Sequence, residues 1–167
     1  EDLKLMNRAH NASEAESSIK RAQDFGFENL SIDLIYGSPT SNFEIWKQNL
    51  QKTIELQVPH VSSYALTIEP KTALNAWIKK NKISKPEEST QNKEFYYLSD
   101  FLNDQGFIHY EISNFAKKDF ESKHNSAYWK YKEYLGIGPS AHSYNGRNQR
   151  SWNVANNTKY IKNLAEN

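Results

Sequence analysis

Three helix-like segments alternate with three strand-like segments over the first two thirds of the chain, and this alternation constrains the fold most. Capping-box patterns predict helix starts at residues 13–16 and 41–44, and a third helix is predicted over about 87–105. Strands are predicted at 29–36, 61–68 and 107–112. Strands joined through helices need crossover connections, so the three should run parallel. The pattern predicts an α/β fold, either half of a (β/α) barrel or an open doubly wound sheet.

The remainder of the chain has a different character. Residues 113–146 are rich in aromatic and turn-forming residues and show no long helical period, and a short helix is predicted over about 158–165. We therefore predict two segments, 1–112 and 113–167.

Composition excludes several classes of protein. The 21 basic and 20 acidic residues are evenly mixed, so no nucleic-acid-binding surface is indicated. No apolar run is long enough for a transmembrane segment and no signal-peptide pattern opens the chain, so a cytoplasmic location is expected. With no cysteine, these residues can form neither a disulfide nor a thiolate metal site.

Asp33 is the most conspicuous carboxylate because it lies inside an apolar strand. The strand pleat places it on one face and Ile32 and Leu34 on the other. If helices cover the leucine face, Asp33 points into a barrel near the carboxyl ends of the strands, where barrel enzymes bind ligands. A buried carboxylate needs a donor or a cation, so Asp33 either binds a ligand or caps the turn at 37–39.

The second strand shows a similar division. Ser63, Ala65 and Thr67 share one face, and Tyr64 and Leu66 share the other. Small and polar side chains facing the interior of a barrel would leave room for a ligand. The alternative is the ordinary alternation of a half-solvated strand.

The densest polar and aromatic cluster is HNSAYW at 124–129. His124, with Tyr128 and Trp129 four and five residues later, either ligates a metal or stacks on a flat ring, or it packs in an aromatic loop. His142 has the same two interpretations. Three histidines remain, and they are scattered with none paired at metal-ligand spacing: His10, His60 and His109.

Several motifs, taken together, resemble a known family. They are NRAH at 7–10, SIDLIYGSP at 31–39, YALTIEP at 64–70, YEISNFA at 110–116, HNSAYW at 124–129 and YLGIGPSAH at 134–142. Their order and spacing resemble those of the HemW-type haem chaperones. These are related to oxygen-independent coproporphyrinogen III oxidase within the radical S-adenosylmethionine (SAM) proteins. The resemblance extends over essentially the whole chain.

The resemblance implies a partial TIM-like (β/α) barrel that binds SAM and a [4Fe–4S] cluster. Residues 1–112 would be the second half of that barrel, and 113–167 a family-specific segment leading toward a further domain. Arg8 and Asp33 fall on SAM-binding positions, with Thr67 beside the adenosyl group. A guanidinium suits the SAM carboxylate, and a carboxylate suits ribose hydroxyls. The C-x-x-x-C-x-x-C cluster loop is expected upstream, so these 167 residues are expected to hold no cluster and to catalyse nothing.

The resemblance leaves two functions open. In a haem chaperone, His124, Tyr128 and Trp129 would contact haem, since histidine is an ordinary haem ligand. The partners would then be haem, haem-acceptor proteins and an electron donor. The alternative is radical decarboxylation of coproporphyrinogen III to protoporphyrinogen IX. A third hypothesis is a half-barrel unrelated to SAM, in which Arg8 and Asp33 would not converge. An exposed barrel edge also predicts a tendency to form homo-oligomers.

Overall fold

The computed structural model describes residues 1–166, and the backbone divides into two compact units. The first runs from Glu1 to Glu121, and the second begins at Ser122. The sequence pattern placed the boundary earlier, after residue 112. The backbone divides later because residues 114–116 form a strand of the first unit's sheet. The role predicted for each segment remains a prediction.

The first unit is an α/β unit in which helices and strands alternate as predicted. Its helices are α1 Asp2–Leu5, α2 Ala12–Asp24, α3 Phe43–Glu55, α4 Ala73–Lys79 and α5 Glu88–Asp104. Its strands are β1 Ser31–Tyr36, β2 His60–Ala65, β3 Ile108–His109 and β4 Asn114–Ala116.

Side-chain caps decide where the helices begin. The Asn11 side chain accepts a hydrogen bond from the Glu14 N–H, and the Glu14 carboxylate accepts one from the Asn11 N–H. The capping box predicted at 13–16 is therefore wrong, because Asn11 is an equally good cap and has its own glutamate three residues later. α3 begins after Asn42 rather than after the predicted Ser41, and the Asn42 side chain accepts the N–H of the third helical residue.

The helix ends agree better with the sequence. α5 confirms the helix predicted over 87–105, and Gly26 and Gly106 follow α2 and α5 with φ of 84° and 75°. This left-handed conformation favours glycine and closes a helix. α4 was not predicted, because seven residues are too few to show a helical period.

The four-stranded sheet is mixed, with the order β1-β2-β4-β3. β1 and β2 pair in parallel over all six residues, whereas β4 pairs antiparallel with both β2 and β3. The third strand predicted at 107–112 ends at residue 109, because residues 110–113 reverse the chain and bring β4 between β2 and β3. The prediction of three parallel strands is therefore right for the first two and wrong beyond them.

Helices α3 and α5 cover one face of this sheet. The apolar face of β1 packs against the resulting core, as predicted for Ile32 and Leu34. The fully or almost fully buried side chains of the core come from both helices, from β2 and β4, and from the residue that precedes β3: Trp46, Leu50, Val61, Leu98, Leu102, Phe107 and Phe115.

β2 presents the opposite face to the one predicted. Parallel pairing gives partner residues the same face, so Ser63 lies with Leu34 on the helix-covered side and Ser62 lies with Asp33 on the opposite side. Val61, two residues from Ser63, is fully buried in the core. The prediction that the Ser63 face lines the interior is therefore wrong. Because Ser62 and Ser63 are adjacent and identical in type, the sequence did not indicate which of them faces the core.

Within the described residues, the second unit contains two helices and an antiparallel hairpin. Their bounds are α6 Lys123–Trp129, β5 His142–Tyr144, β6 Arg150–Trp152 and α7 Asn157–Ala165. α7 confirms the short helix predicted at 158–165. α6 covers the HNSAYW segment that was considered as a loop, and the Ser122 side chain caps it by accepting the Asn125 N–H at 3.2 Å.

Candidate functional site

The sheet face turned away from α3 and α5 carries a row of polar side chains. Asp33 of β1 lies beside Ser62 of β2, and Ser62 lies beside Asn114 of β4. Ser31 and His60 form the neighbouring pair where the two parallel strands begin. Asp33 lies on this polar face as predicted, but it is exposed rather than buried. Within residues 1–166 no hydrogen bond or ion pair engages its carboxylate, so Asp33 can accept from a ligand.

His60 joins three segments of the first unit through its two ring nitrogens. Nδ1 shares a hydrogen bond with the Ser31 hydroxyl (2.7 Å), and Nε2 shares one with the Tyr110 hydroxyl (2.8 Å). Burial lowers the pKa of His60, while the charges of Asp33 and Glu111 oppose that shift. The two hydrogen bonds of its ring fix the positions of both hydroxyl groups relative to His60.

A carboxylate holds the reversal between β3 and β4. Glu111 accepts hydrogen bonds from the Ser113 N–H (3.1 Å) and from the side-chain amide of Asn114. The side-chain oxygen of Asn114 is buried and has no partner among the described residues. Leaving such an acceptor unpaired costs about 1–3 kcal/mol. This end of the polar row is therefore rich in acceptors and short of donors.

Two other carboxylates hold the turn that follows β1. The Gly37 N–H donates to Glu94 Oε2 at 2.6 Å, and the Ser38 hydroxyl donates to Asp2 Oδ1 at 2.7 Å. The Thr40 hydroxyl also donates to Asp2. The alternative role proposed for Asp33, capping this turn, is wrong, because these two carboxylates occupy that role. Burial raises the pKa of Glu94, the Gly37 N–H lowers it, and nearby Asp2 raises it further.

Arg8 lies just after α1 with its side chain exposed. Its backbone N–H donates to the Leu3 carbonyl at 2.8 Å, so the turn that carries it is anchored on that helix. Across residues 1–166, no hydrogen bond or ion pair joins its guanidinium to Asp33. The two predicted SAM residues are therefore not bonded to each other among the described residues, and their shared role stays a prediction.

Thr67 lies beyond the end of β2, where its exposed hydroxyl donates to the Ala65 carbonyl at 3.4 Å. Near it, an open groove of about 650 Å³ lies at the carboxyl ends of β1 and β2. Tyr36 and Phe95 give the groove apolar surface, and Lys85 gives it a cation. Since the strand has ended before residue 67, its predicted place on a barrel wall rests on the resemblance only.

In the second unit, α6 brings two of the three predicted haem contacts together. His124 and Tyr128 are four residues apart on one helix face, and their rings meet edge to face with centroids 4.9 Å apart. Trp129 is one residue further, about 100° around the helix, so it lies on a different face and is 54% exposed. No hydrogen bond within residues 1–166 occupies the ring nitrogens of His124, which is exposed. His124 can therefore bind a ligand.

A row of rings continues from α6 toward the hairpin of the same unit. Tyr128 meets Tyr134 with centroids 4.8 Å apart, and Tyr134 meets Tyr144 at 6.1 Å. On the hairpin, His142 pairs across the strands with Trp152, with centroids 6.0 Å apart. Position 142 is thus part of a cross-strand aromatic pair.

Sequence patterns did not indicate the side chains whose hydrogen bonds hold the candidate site in place. His60 was treated as a scattered histidine, although a histidine that opens a buried strand is a signal for a bonded imidazole. Glu94 had a clearer signal, because its acidic side chain interrupts the inner face of α5, one turn before Leu98. Asp2 and Glu111 gave no signal, since each lies in an ordinary polar segment.

The described part of the chain has neither a candidate membrane span nor a candidate metal cluster. No helix there is both long and apolar enough to cross a membrane. No three or more His, Cys, Asp or Glu side chains there are grouped so that they could hold a metal ion.

Curated relatives of the chain carry names from haem metabolism and the radical SAM proteins. "Heme chaperone HemW" of Lactococcus lactis is 39% identical over 142 residues, which are 85% of this chain and 38% of that protein. The Bacillus subtilis protein of the same name is 34% identical over 98% of this chain and 43% of its own length. "Radical S-adenosyl methionine domain-containing protein 1, mitochondrial" of mouse is 37% identical over 84% of this chain and 32% of that protein. No family model matches the chain.

A solved structure agrees with the fold. Coproporphyrinogen III oxidase (HemN) from Escherichia coli, described as a radical SAM enzyme, has a TM-score of 0.74 and 22% identity over 98% of this chain. The chain belongs to the HemW- and HemN-like radical SAM family. The first unit of this HemW- and HemN-like chain is thus part of a TIM-like α/β barrel. The chain spans about 40% of the length of the relatives it matches.

Proposed function

We propose that this chain is part of a haem chaperone built on a radical SAM barrel. The observation that carries the proposal is its 31–39% identity to proteins named as haem chaperones in Lactococcus, Bacillus and Mycobacterium. Haem binding and haem delivery to acceptor proteins come to this chain from those relatives.

The chemistry of α6 supports haem binding. The free, exposed imidazole of His124 is a suitable axial ligand, and the Tyr128 ring beside it offers an apolar edge to a porphyrin. Trp129 lies on a different face of α6 from this pair. It would therefore contact the haem only away from the position that His124 ligates. The residues present therefore fit haem, with His124 as the ligand.

Haem titration followed by the Soret band tests this proposal. We expect saturable binding by the unmodified protein and a shifted, weaker band for His124→Ala. His10→Ala is the matched control, since His10 is an exposed histidine of the first unit. The proposal fails if the unmodified protein shows no saturable Soret change. The assignment of the ligand fails if both variants bind alike.

SAM is the second ligand that we propose, because radical SAM proteins use it with a [4Fe–4S] cluster. When bound, these groups would supply the radical chemistry, and this chain's residues would hold the carboxylate and the ribose of SAM. Arg8 would bind the SAM carboxylate, and Asp33 would accept from the ribose hydroxyls. Thr67 would lie near the adenosyl group. The chain has no cysteine, so the cluster ligands must come from residues outside it.

Calorimetric titration of the reconstituted complete protein with SAM tests these assignments. We expect Arg8→Gln and Asp33→Asn each to raise the Kd about tenfold or more, because each loses a charge-assisted bond. Arg21→Gln, an exposed arginine on α2, should leave the Kd unchanged. Equal affinity in all four proteins would contradict the assignments.

The alternative function is oxidative decarboxylation of coproporphyrinogen III, with which the likeness of fold to the HemN oxidase is consistent. An anaerobic assay of the reconstituted complete protein with an electron donor distinguishes the two functions. Protoporphyrinogen IX as product would support the oxidase, and its absence together with Soret-detected haem binding would support the chaperone.

A further inference from the structure

The turn at residues 37–40 is held against α5 by an unusual buried carboxylate. Glu94 is 2% exposed, and its Oε2 accepts the Gly37 N–H at 2.6 Å. Gly37 has φ of 76°, and the Gln91 side chain, one helical turn before Glu94, fills the space that a Cβ would occupy. Gln91 also donates to the Leu66 carbonyl at 3.1 Å. α5 therefore holds the chain just beyond both parallel strands, after β1 and after β2.

The same turn is held from its other side by the segment that carries Arg8. Asp2 accepts the hydroxyl protons of Ser38 and Thr40, and its backbone carbonyl accepts the Met6 N–H at 2.9 Å. The Arg8 N–H donates back to α1 as described above. Residues 2–8 therefore form one hydrogen-bonded unit. The side chain of Asp2 bonds this unit to the turn after β1.

No cation lies against the Glu94 carboxylate within the described chain. A buried carboxylate that no cation pairs with is costly. Burial and the charge of Asp2 both raise its pKa, so the two acids oppose each other across the turn. The buried side chain of Glu94 instead accepts the backbone N–H of Gly37, and so fixes the position of the turn.

We propose that Glu94 and Asp2 are positioning residues, which together fix the segment that carries Arg8 relative to the strand that carries Asp33. The inference rests on the proposed SAM site. Asp33 lies four residues before Gly37 on β1, a strand paired along its whole length, so displacement of the turn shifts the end of the strand on which Asp33 lies. Neither positioning residue touches the ligand. Each acts through the backbone of residues 37–40.

Hydrogen exchange of the complete protein tests the positioning without any ligand. Asp2→Ala and Glu94→Ala should each increase exchange of the amides in residues 2–8, because the turn that holds this segment is released. Leu98→Ala is the matched control, since Leu98 is equally buried one turn further along α5 and its apolar side chain can make no hydrogen bond to the turn. Unchanged exchange of residues 2–8 in both alanine variants would overturn the proposal, whether or not the protein binds SAM.

The SAM affinity of the same proteins gives the functional readout. Glu94→Ala should raise the Kd about tenfold, and Glu94→Gln should stay within about threefold of the unmodified protein, because the amide oxygen still accepts the Gly37 N–H. Leu98→Ala should lower the Tm and leave the Kd unchanged. A Kd that rises as much in Leu98→Ala as in Glu94→Ala would overturn the proposal, as would a normal Kd in Glu94→Ala. If the unmodified protein bound no SAM, the proposed function would fail and hydrogen exchange would still decide the positioning role.

Discussion

Replacing Gly37 by alanine should destabilise the first unit more than replacing Gly26 does, although both glycines have a left-handed backbone. Their φ angles are 76° and 84°. A Cβ at Gly26 would meet no atom within 4 Å, whereas a Cβ at Gly37 would overlap the Gln91 side chain, with Nε2 only 2.6 Å away. Comparing Gly37→Ala with Gly26→Ala therefore separates the free-energy cost of the left-handed backbone from the cost of the overlap with Gln91.

The expected magnitudes follow from these surroundings. The left-handed conformation costs an alanine about 1–2 kcal/mol at either position. At Gly37 the displaced Gln91 side chain loses its hydrogen bond to the Leu66 carbonyl, which adds about 1 kcal/mol, and the overlap adds about 1–3 kcal/mol. We therefore expect Gly37→Ala to cost at least about 2 kcal/mol more than Gly26→Ala. The effect on the unfolded chain cancels, because the substitution is the same.

Urea unfolding followed by circular dichroism and by tryptophan fluorescence measures this difference. Trp46, whose indole N–H donates to the Glu94 carbonyl at 3.0 Å, reports on the neighbourhood of the turn. The m-values should agree between the variants, so that the midpoints report stability alone. Equal losses for the two variants would show that Gln91 does not press against Gly37, and the description of this turn would be wrong.

Other variants test the core, a cap and two titrating groups. Leu98→Ala should cost about 2–5 kcal/mol in urea unfolding because Leu98 is fully buried, and a loss below about 1 kcal/mol would contradict the described core. Asn11→Ala should lower the stability by about 0.5–2 kcal/mol in thermal melts and Ser13→Ala much less, since only Asn11 caps α2. The reverse order would support the capping box predicted at 13–16. The pKa of His60 is lowered from 6.5, so its contribution is present above pH 6.5 and is lost as the pH falls through the lowered pKa. His60→Gln should therefore flatten the stability profile there, and parallel profiles would refute this. The pKa of Glu94 is raised from 4.5, so its contribution is complete below pH 4.5 and is lost as the pH rises. Glu94→Gln should therefore gain stability relative to the unmodified protein from pH 4 to pH 7, and a constant difference would count against the assignment.

The sequence predicted those elements whose signals are local and repeated. α5 was located to within a residue because Leu98 and Leu102 recur on one helix face and Gly106 ends it. The strand order could not be predicted from the sequence. It depends on the reversal at 110–113, where Glu111 accepts hydrogen bonds from residues 113 and 114, and such a contact leaves no periodic pattern in the sequence. The residues of the predicted third strand looked uniformly extended, so neither the reversal at 110–113 nor the strand β4 after it was predicted.

The residues of the candidate site also differ in whether a local sequence pattern indicated them. Asp33 was found because a lone acid in an apolar strand breaks a pattern, and His124 because its aromatic neighbours are adjacent in sequence. His60 and Glu94 act through partners far along the chain, the hydroxyl of Tyr110 and the N–H of Gly37. Such pairs come together only after the sheet and α5 are in place. A single sequence therefore indicates candidate ligands more readily than the residues that hold them.

The inner position of β4 has a consequence for how the first unit assembles. β1, α3 and β2 are consecutive in the chain and can pair as soon as they are synthesised, whereas the other edge of β2 waits for residues 114–116. Until then that edge exposes unpaired backbone groups, and another chain could add to it. Since the closing contacts join distant residues, we expect this docking to be slower than the pairing of β1 with β2, and self-association to compete with it until β4 enters.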